Sequence, residues 1–326
     1  MAMVETAGGP VESAELGPTL VHEHIVNINA EVARDQPPMS WGPDRTAIRD
    51  RVIADLNDLA SRGIRTIVDA TVFGHGRDVA FVQDISEHVG VNIIVATGIY
   101  TFDHLPHFFD RRPPTAQRPR DALTEFFVRD IVQGIAGTGV KAGIIKCATD
   151  VQGLTPRNER VLRAVALAHR ETGVPVTTHT VAAERNGLDQ QRVFAAEGVD
   201  LTRVVIGHSG DSQDYDYLRA LMDAGSLIGA DRFGMHLPGR LSMDERVAIV
   251  ADLCAQGYSD RIVLSHDYTL YSDWFDDSVV FPPEWRMTHI SDFTIPALRA
   301  RGVTEEHITR MLVDNPRRVF EAQGPY

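Results

Sequence analysis

Two histidines, His22 and His24, flank Glu23 inside the apolar run Thr19–Ile25. On a β-strand, residues two apart point to the same face, so both imidazoles can face one side while Glu23 faces the other. A single buried histidine is more often a hydrogen-bonded core residue than a metal ligand. Two on one strand end favour a metal site, because imidazole suits zinc, iron, cobalt and similar ions.

Later apolar runs end in further candidate ligands, namely His179, His208 and Asp267. His266 precedes Asp267 and should point to the opposite side, so a structural role is predicted for it. Four histidines and one aspartate exceed what one catalytic zinc with an open position needs. These five side chains are too few to bind two metal ions by themselves. An anionic ligand that bridges the two ions would complete the site.

Lysine is almost absent from the sequence, which contains only Lys141 and Lys146. Lys146 lies inside an apolar run, where a charged ammonium could not bind a cation and would be costly. A buried lysine loses its proton far more readily than arginine, and the neutral amine can add carbon dioxide to become a carbamate with two donor oxygens. The alternative is a salt bridge to Asp150 or Asp267, which arginine could make equally well.

Short runs rich in Val and Ile recur along the chain and favour buried parallel strands over helices. The eight runs are Thr19–Ile25, Thr66–Val72, Asn92–Tyr100, Ala142–Asp150, Pro175–Thr180, Arg203–Ser209, Ser226–Phe233 and Arg261–Tyr268. Helix-like segments alternate with them, which predicts a (β/α)8 TIM barrel. A doubly wound sheet is the alternative, but no G-x-G-x-x-G follows any run.

Two of the intervening helices have clear ends in the sequence. Residues Asp44–Ser61 place apolar side chains on one face, and Gly63 follows as a stop. Thr155 before Pro156 predicts the start of a helix that ends near Gly173. No linker interrupts the pattern, so residues 1–326 are predicted to form a single domain, with its chemistry at the C-terminal ends of the strands.

Composition excludes several classes of protein. Lys+Arg 32 against Asp+Glu 45 gives a formal net charge of −13, and no basic run is present, which argues against nucleic-acid binding. The sequence has no apolar stretch of about 20 residues that could span a membrane, and its N-terminus lacks the apolar core of a signal peptide. Cys147 and Cys254 form no framework of disulfides, so a cytoplasmic location is expected.

Six motifs, in their order and spacing, closely resemble the phosphotriesterase-like lactonases of the amidohydrolase superfamily. They are VHEHI, GIIKCATD, TTHT, GHSGD, DRFG and LSHD, and the likeness continues to LVDNPRRVF near the C-terminus. The resemblance implies two divalent metal ions, zinc or else iron, cobalt or manganese. It places His22, His24 and Asp267 on the more buried ion and His179 and His208 on the other. N6-carboxylysine at Lys146 would bridge the two ions.

The resemblance also implies a reaction, the opening of a lactone by hydroxide. Asp267 would pass the proton to the leaving ring oxygen, and Tyr100 would orient or stabilise the carbonyl oxygen. Arg232, together with Asp211, would orient Asp267 or relay its proton. The expected substrates are N-acyl-homoserine lactones, as in quorum quenching, or simpler oxo-lactones. Organophosphate triester hydrolysis is the expected side activity, and the chain is expected to be a homodimer.

The segment after Asp267 is a candidate substrate lid. It carries Trp274, Phe275, Trp285 and Met287, which could line an apolar channel or pack beneath a long loop.

Three alternative functions remain open from the sequence. A serine hydrolase would use Ser209 in the near-elbow Gly207–Asp211. A related amidohydrolase acting on amides would share every metal ligand and differ only in its loops. A non-enzymatic binding protein on a barrel is disfavoured by the intact ligand set.

Overall fold

Nine parallel strands form one curled sheet in the computed structural model, which describes residues 2–237, 239–276, 278–321 and 324–326. The strands are β1 Thr19–Asn27, β2 Thr66–Asp69, β3 Asn92–Gly98, β4 Ile144–Ala148, β5 Val176–His179, β6 Val204–Ile206, β7 Leu227–Ala230, β8 Ile262–Leu264 and β9 Thr269–Ser272. Each strand pairs with its neighbour in sequence from β1 to β8, and β9 pairs with β1. A separate N-terminal hairpin pairs Met3–Val4 with Val11–Glu12.

The barrel is closed by the chain that follows β8. While β8 pairs with β7, the backbone N–H of Asp267 donates to the His22 carbonyl at 3.0 Å, and the His24 N–H donates to Tyr268 at 2.8 Å. Asp267 has φ 54, a left-handed conformation uncommon outside glycine, and this turn carries the chain from β7 across to β1. The predicted (β/α)8 TIM barrel is confirmed.

Helices surround the sheet. The longer ones are Arg45–Ser61, Val79–Ser86, Ala122–Val132, Pro156–Thr172, Gly187–Ala196, Tyr215–Asp223 and Met243–Ala255. Shorter ones are Ala30–Asp35, Pro37–Ser40, His107–Asp110, Ile295–Ala300, Glu305–Thr309 and Asn315–Glu321, with π-helical turns at Ile290–Thr294 and Arg310–Asp314. Within the described residues, no helix is long and apolar enough to cross a membrane.

The two helices predicted from their ends are confirmed. Asp44 accepts a hydrogen bond from the Ala47 N–H at the start of Arg45–Ser61. Thr155 caps Pro156–Thr172, and Gly173, with φ 77, ends it in the left-handed conformation that favours glycine.

Apolar side chains fill the barrel interior below the polar strand ends. This inner cluster includes Val21, Val68, Ile94, Ile144, Val205, Leu227 and Val263. Most predicted runs extend beyond the observed strands, because the polar residues that close them leave the ladder. His208, for example, has φ 61 and lies after the end of β6. Polar side chains at the strand ends therefore turn into the mouth of an apolar barrel.

Candidate metal centre

A β-bulge in β1 aims the first two candidate ligands into the barrel. Leu20 pairs with Ile67, but the next pairing is Glu23 with Asp69, so β1 contains one extra residue. Val21 packs in the inner apolar cluster, and His22, the next residue, contacts Lys146 inside the barrel. The bulge therefore lets two consecutive side chains point inward before alternation resumes.

Glu23 lies on the opposite face, as predicted, in a fully buried network. Its Oε1 accepts hydrogen bonds from the Ser265 hydroxyl at 2.7 Å, the His266 N–H at 2.9 Å and His266 Nδ1 at 2.7 Å. Its Oε2 accepts from the Tyr268 N–H at 3.0 Å. His266 Nε2 accepts from the Ile290 N–H at 2.9 Å, so His266 is a neutral imidazole with a structural role.

The candidate ligands converge inside the barrel. Asp267 Oδ1 lies 3.3 Å from His24 Nε2 and 3.6 Å from His22 Nε2, while Oδ2 lies 3.8 Å from His208 Nε2. His208 Nε2 is 3.0 Å from His179 Nδ1. Ligand atoms around a tetrahedral zinc are about 3.4 Å apart, given bonds of about 2.1 Å. The separations within this cluster are therefore of the size that shared cations require.

Asp231 orients two of these imidazoles, and the sequence reasoning did not identify it. Its carboxylate accepts hydrogen bonds from His22 Nδ1 at 3.1 Å and from His208 Nδ1 at 3.0 Å. The backbone N–H of His208 also donates to it at 2.9 Å. Both Nε2 atoms are left as lone-pair donors facing the centre. Its position in the sequence could have indicated it, because Asp231 directly follows β7 and precedes Arg232.

The other two imidazoles are oriented in the same way. Thr71 accepts from His24 Nδ1 at 2.9 Å and donates to Asp69 at 2.5 Å, which frees His24 Nε2. His179 donates from Nε2 to Asp150 at 3.0 Å, so it presents Nδ1 to the centre instead.

The charge state of the imidazoles suits metal binding. Burial lowers the pKa values of His22 and His208 and brings that of His179 to about 4, so all three are neutral at pH 7. Neutral imidazoles that point their lone pairs at one another need a cation between them. The donor set therefore fits divalent metal ions.

Lys146 is buried against this cluster, 1% exposed, with Nζ 2.6 Å from His22 Nε2. Within the described residues no ion pair joins it to a carboxylate, because Asp150 engages His179 and Asp267 engages Arg232. The alternative of a salt bridge is therefore not supported. Burial lowers the pKa of Lys146 to about 8, which increases the fraction of neutral amine.

Arg232 and Tyr100 both contact residues of the centre. Arg232 donates to Asp267 Oδ2 at 3.0 Å and to Asp211 at 3.1 Å, and Arg246 also donates to Asp211. Burial tends to raise the pKa of Asp267, but the charges around it, among them the Arg232 guanidinium, hold that pKa well below the usual range.

Tyr100 packs edge-on against His179, with ring centroids 5.5 Å apart. Burial raises the pKa of its hydroxyl, so Tyr100 stays protonated.

The candidate lid residues occupy different environments. Trp274 and Phe275 are 40% and 50% exposed, and Trp274 borders an apolar cavity of about 650 Å³. Trp285 donates from Nε1 to the His266 carbonyl at 2.8 Å, which ties it to the barrel. Met287 is 3% exposed within the outer core, so it is a packing residue and does not line a channel.

The serine-hydrolase alternative is contradicted by the position of Ser209. Its side chain is fully buried, and its hydroxyl donates to the Ile206 carbonyl at 2.8 Å. It therefore has neither the exposure nor the free hydroxyl of a nucleophile.

The chain is similar to known proteins over its whole length. Residues 2–320 match the Phosphotriesterase family. A "Phosphotriesterase homology protein" of Mycobacterium tuberculosis (strain ATCC 25618 / H37Rv) is 50% identical and covers 100% of both chains. An "Aryldialkylphosphatase" of Saccharolobus solfataricus is 38% identical, over 95% of this chain and 96% of that one. The solved phosphotriesterase from Mycobacterium tuberculosis superposes with a TM-score of 0.94, at 49% identity, over 100% of both chains.

Proposed function

The chain belongs to the phosphotriesterase family of metal-dependent hydrolases, and from that premise we propose that it is a binuclear lactonase. Its proposed substrates are N-acyl-homoserine lactones or simpler oxo-lactones, with phosphotriester hydrolysis as a side activity. The proposal depends mainly on one observation. Four imidazoles and one carboxylate converge on one buried space, and the other ring nitrogen of each imidazole is held by a side chain outside that space.

Two divalent ions held there would polarise a carbonyl or phosphoryl oxygen and lower the pKa of bound water. We assign His22, His24 and Asp267 to the inner ion, because both imidazoles lie nearest the same carboxylate oxygen. His179 and His208, whose ligand atoms are 3.0 Å apart, are assigned to the outer ion.

Asp267 is proposed to take the proton of the attacking water and deliver it to the leaving ring oxygen. Its low pKa keeps it ionised and able to accept, and Arg232 fixes the orientation of its Oδ2. Arg232 also donates to Asp211 at 3.1 Å, which holds the guanidinium in place beside Asp267. Tyr100, kept protonated by burial, is proposed to donate to the carbonyl oxygen of the substrate.

Lys146 is proposed to bridge the ions as a carbamate. Its neutral Nζ forms a bond to the carbon of carbon dioxide and releases one proton, which leaves a carboxylate on the side chain. The buried lysine without a carboxylate partner supports this step. Lys146→Ala should lose metal and activity, and short carboxylic acids should restore part of both. A Lys146→Arg variant with full activity would overturn the carbamate.

A lactone fits the surroundings of this centre. The reacting atoms would lie among polar ligands, while the exposed Trp274 has its ring 6.3 Å from that of Tyr100 and suits contact with an apolar acyl arm. The second candidate is a phosphotriester as main substrate, which the 38% identical aryldialkylphosphatase favours. Both reactions would use the same metal ligands, so only the arrangement around the mouth separates them.

One experiment separates these candidates. Lactones of differing ring size and acyl length should be assayed beside an aryl dialkyl phosphate on one metal-loaded preparation. Lactone kcat/KM well above triester kcat/KM supports the proposal, and the reverse order favours the phosphotriesterase. Metal analysis should give about two ions per chain. Light scattering of the same preparation tests the predicted homodimer.

A further inference from the structure

His75 occupies a buried place beside the metal ligands, although it is neither at a strand end nor in any motif above. It is 3% exposed and lies in the loop that follows β2. The His75 N–H donates to the Val72 carbonyl at 2.9 Å, and its own carbonyl accepts from the Ile28 N–H at 2.9 Å. The Val72 N–H donates to His75 Nδ1 at 3.2 Å. These hydrogen bonds fix both the backbone and the imidazole ring of His75.

Glycines on both sides of His75 let the loop pass between neighbouring strand ends. Gly74 has φ +100, and a Cβ there would lie 2.4 Å from the Tyr100 carbonyl oxygen. Gly76 has φ +73, and a Cβ there would lie 1.7 Å from the Ile28 carbonyl oxygen. Neither position has room for a side chain, so the loop is held close to β1 and β3. The imidazole of His75 is therefore rigidly placed.

The ring of His75 connects the ligand His24 with two aromatic residues at the mouth. Its centroid lies 5.0 Å from that of His24. It stacks on Tyr100 at 4.0 Å with an interplanar angle of 24°, and on Trp274 at 5.6 Å with the same angle. Within the described residues, Tyr100 has no side-chain hydrogen bond, so ring contacts set its direction.

We propose that His75 is a positioning residue that holds Tyr100 and Trp274 at their distance from the metal ligands. The flat ring acts through stacking, and its Nδ1 is already occupied by the Val72 amide. His75 thereby controls turnover through Tyr100, whose hydroxyl must meet the substrate oxygen. It controls preference for the acyl arm through Trp274. The kinetic part of this inference rests on the proposed lactone hydrolysis, whereas the placement of the two rings does not.

Two substitutions of similar volume test this inference. His75→Phe keeps a flat ring in the loop, and His75→Leu removes it. We expect the Leu variant to lower kcat at least about tenfold, with a smaller change in KM for short lactones, because misplacing a catalytic group is costly. The Phe variant should keep most of kcat. In a Tyr100→Phe background, His75→Leu should cost little more, and additive losses would overturn the inference.

Fluorescence provides a readout independent of activity. The emission of Trp274 is obtained by subtracting the spectrum of a Trp274→Phe variant. It should become more accessible to acrylamide in His75→Leu and stay as it was in His75→Phe. Metal content and melting temperature identify a variant that has simply misfolded. Unchanged Trp274 emission and unchanged kcat in a folded Leu variant would refute the role, as would equal losses in both variants. If no lactone is hydrolysed, the proposed function fails while the fluorescence still decides the placement.

Discussion

Two buried networks of imidazole and carboxylate groups lie back to back across the same strand ends. His22, His24 and Asp267 point into the barrel, and Glu23 and His266 point out of it. The outer network is saturated, since Glu23 accepts four hydrogen bonds and His266 uses both ring nitrogens. In the inner network, acceptor atoms face one another, as His208 Nε2 faces His179 Nδ1 at 3.0 Å. Burial of polar groups therefore does not identify a metal site, whereas converging lone pairs do.

Replacing one carboxylate in each network gives the largest expected contrast. Asp267→Asn should lower kcat/KM by about 10²–10⁴-fold, because it removes both an ionised ligand and the proposed proton acceptor. Urea unfolding should show that the chain still folds. Metal analysis by mass spectrometry and initial rates measure the effect. Retained activity above a tenth of the parent would contradict the role given to Asp267.

The matched change in the outer network is Glu23→Gln. The amide NH2 cannot accept, so at least one buried N–H or O–H loses its partner, and unfolding free energy should fall by roughly 3 kcal/mol. Metal content and kcat of the folded fraction should remain close to the parent. Denaturant titration and metal analysis check this. Loss of metal at unchanged stability would show that the two networks are not separate.

Orienting residues should give intermediate effects. Asp231→Asn disturbs His22 and His208 together, and we expect metal affinity to fall by about 10–100-fold. Of the candidate ligands, Thr71→Val disturbs His24 alone, so its loss of metal affinity should be smaller. Competition with a chelator measures both affinities. Equal losses of metal affinity in the two variants would contradict the larger effect expected for the carboxylate that orients two histidines.

A more gradual effect is expected from protonation of the inner network in metal-free protein. The folded pKa of His179 is lowered by burial from 6.5 to about 4. Between these values the unfolded chain binds more protons, so stability is lost as pH falls, by up to about 1.4 kcal/mol per pH unit. Denaturation at several pH values with and without His179→Asn measures the slope. A slope that the substitution leaves unchanged would refute this assignment.

Much of the fold could be predicted from local patterns. Runs of Val and Ile predicted the eight strands of the barrel. The apolar face of Asp44–Ser61 and the cap at Thr155 predicted two helices that the structure confirms. Alternation along β1 correctly separated His22 and His24 from Glu23, because side-chain direction on a strand depends only on parity and on the register. The bulge that shifts this parity depends on pairing with β2 and leaves no clear mark in the sequence.

The orienting residues could not be predicted, because their partners are distant along the chain. Asp231 reaches back to His22 across more than 200 residues, and Thr71 meets His24 only because β1 and β2 are neighbours. His75 could not be predicted from the strand ends, because it lies in the loop that follows β2. In the sequence, the glycines on both sides of His75 were the feature that could have indicated a closely packed loop.

The sequence by itself determined the barrel and the set of ligand types, since strand periodicity and imidazole chemistry are local properties. Tertiary structure alone decided which nitrogen each histidine presents. Each histidine presents the ring nitrogen that is not hydrogen-bonded to its distant partner, and these partners are Asp231, Thr71 and Asp150. It also decided that Lys146 meets His22 and no carboxylate within the described chain, because barrel closure selects its neighbours.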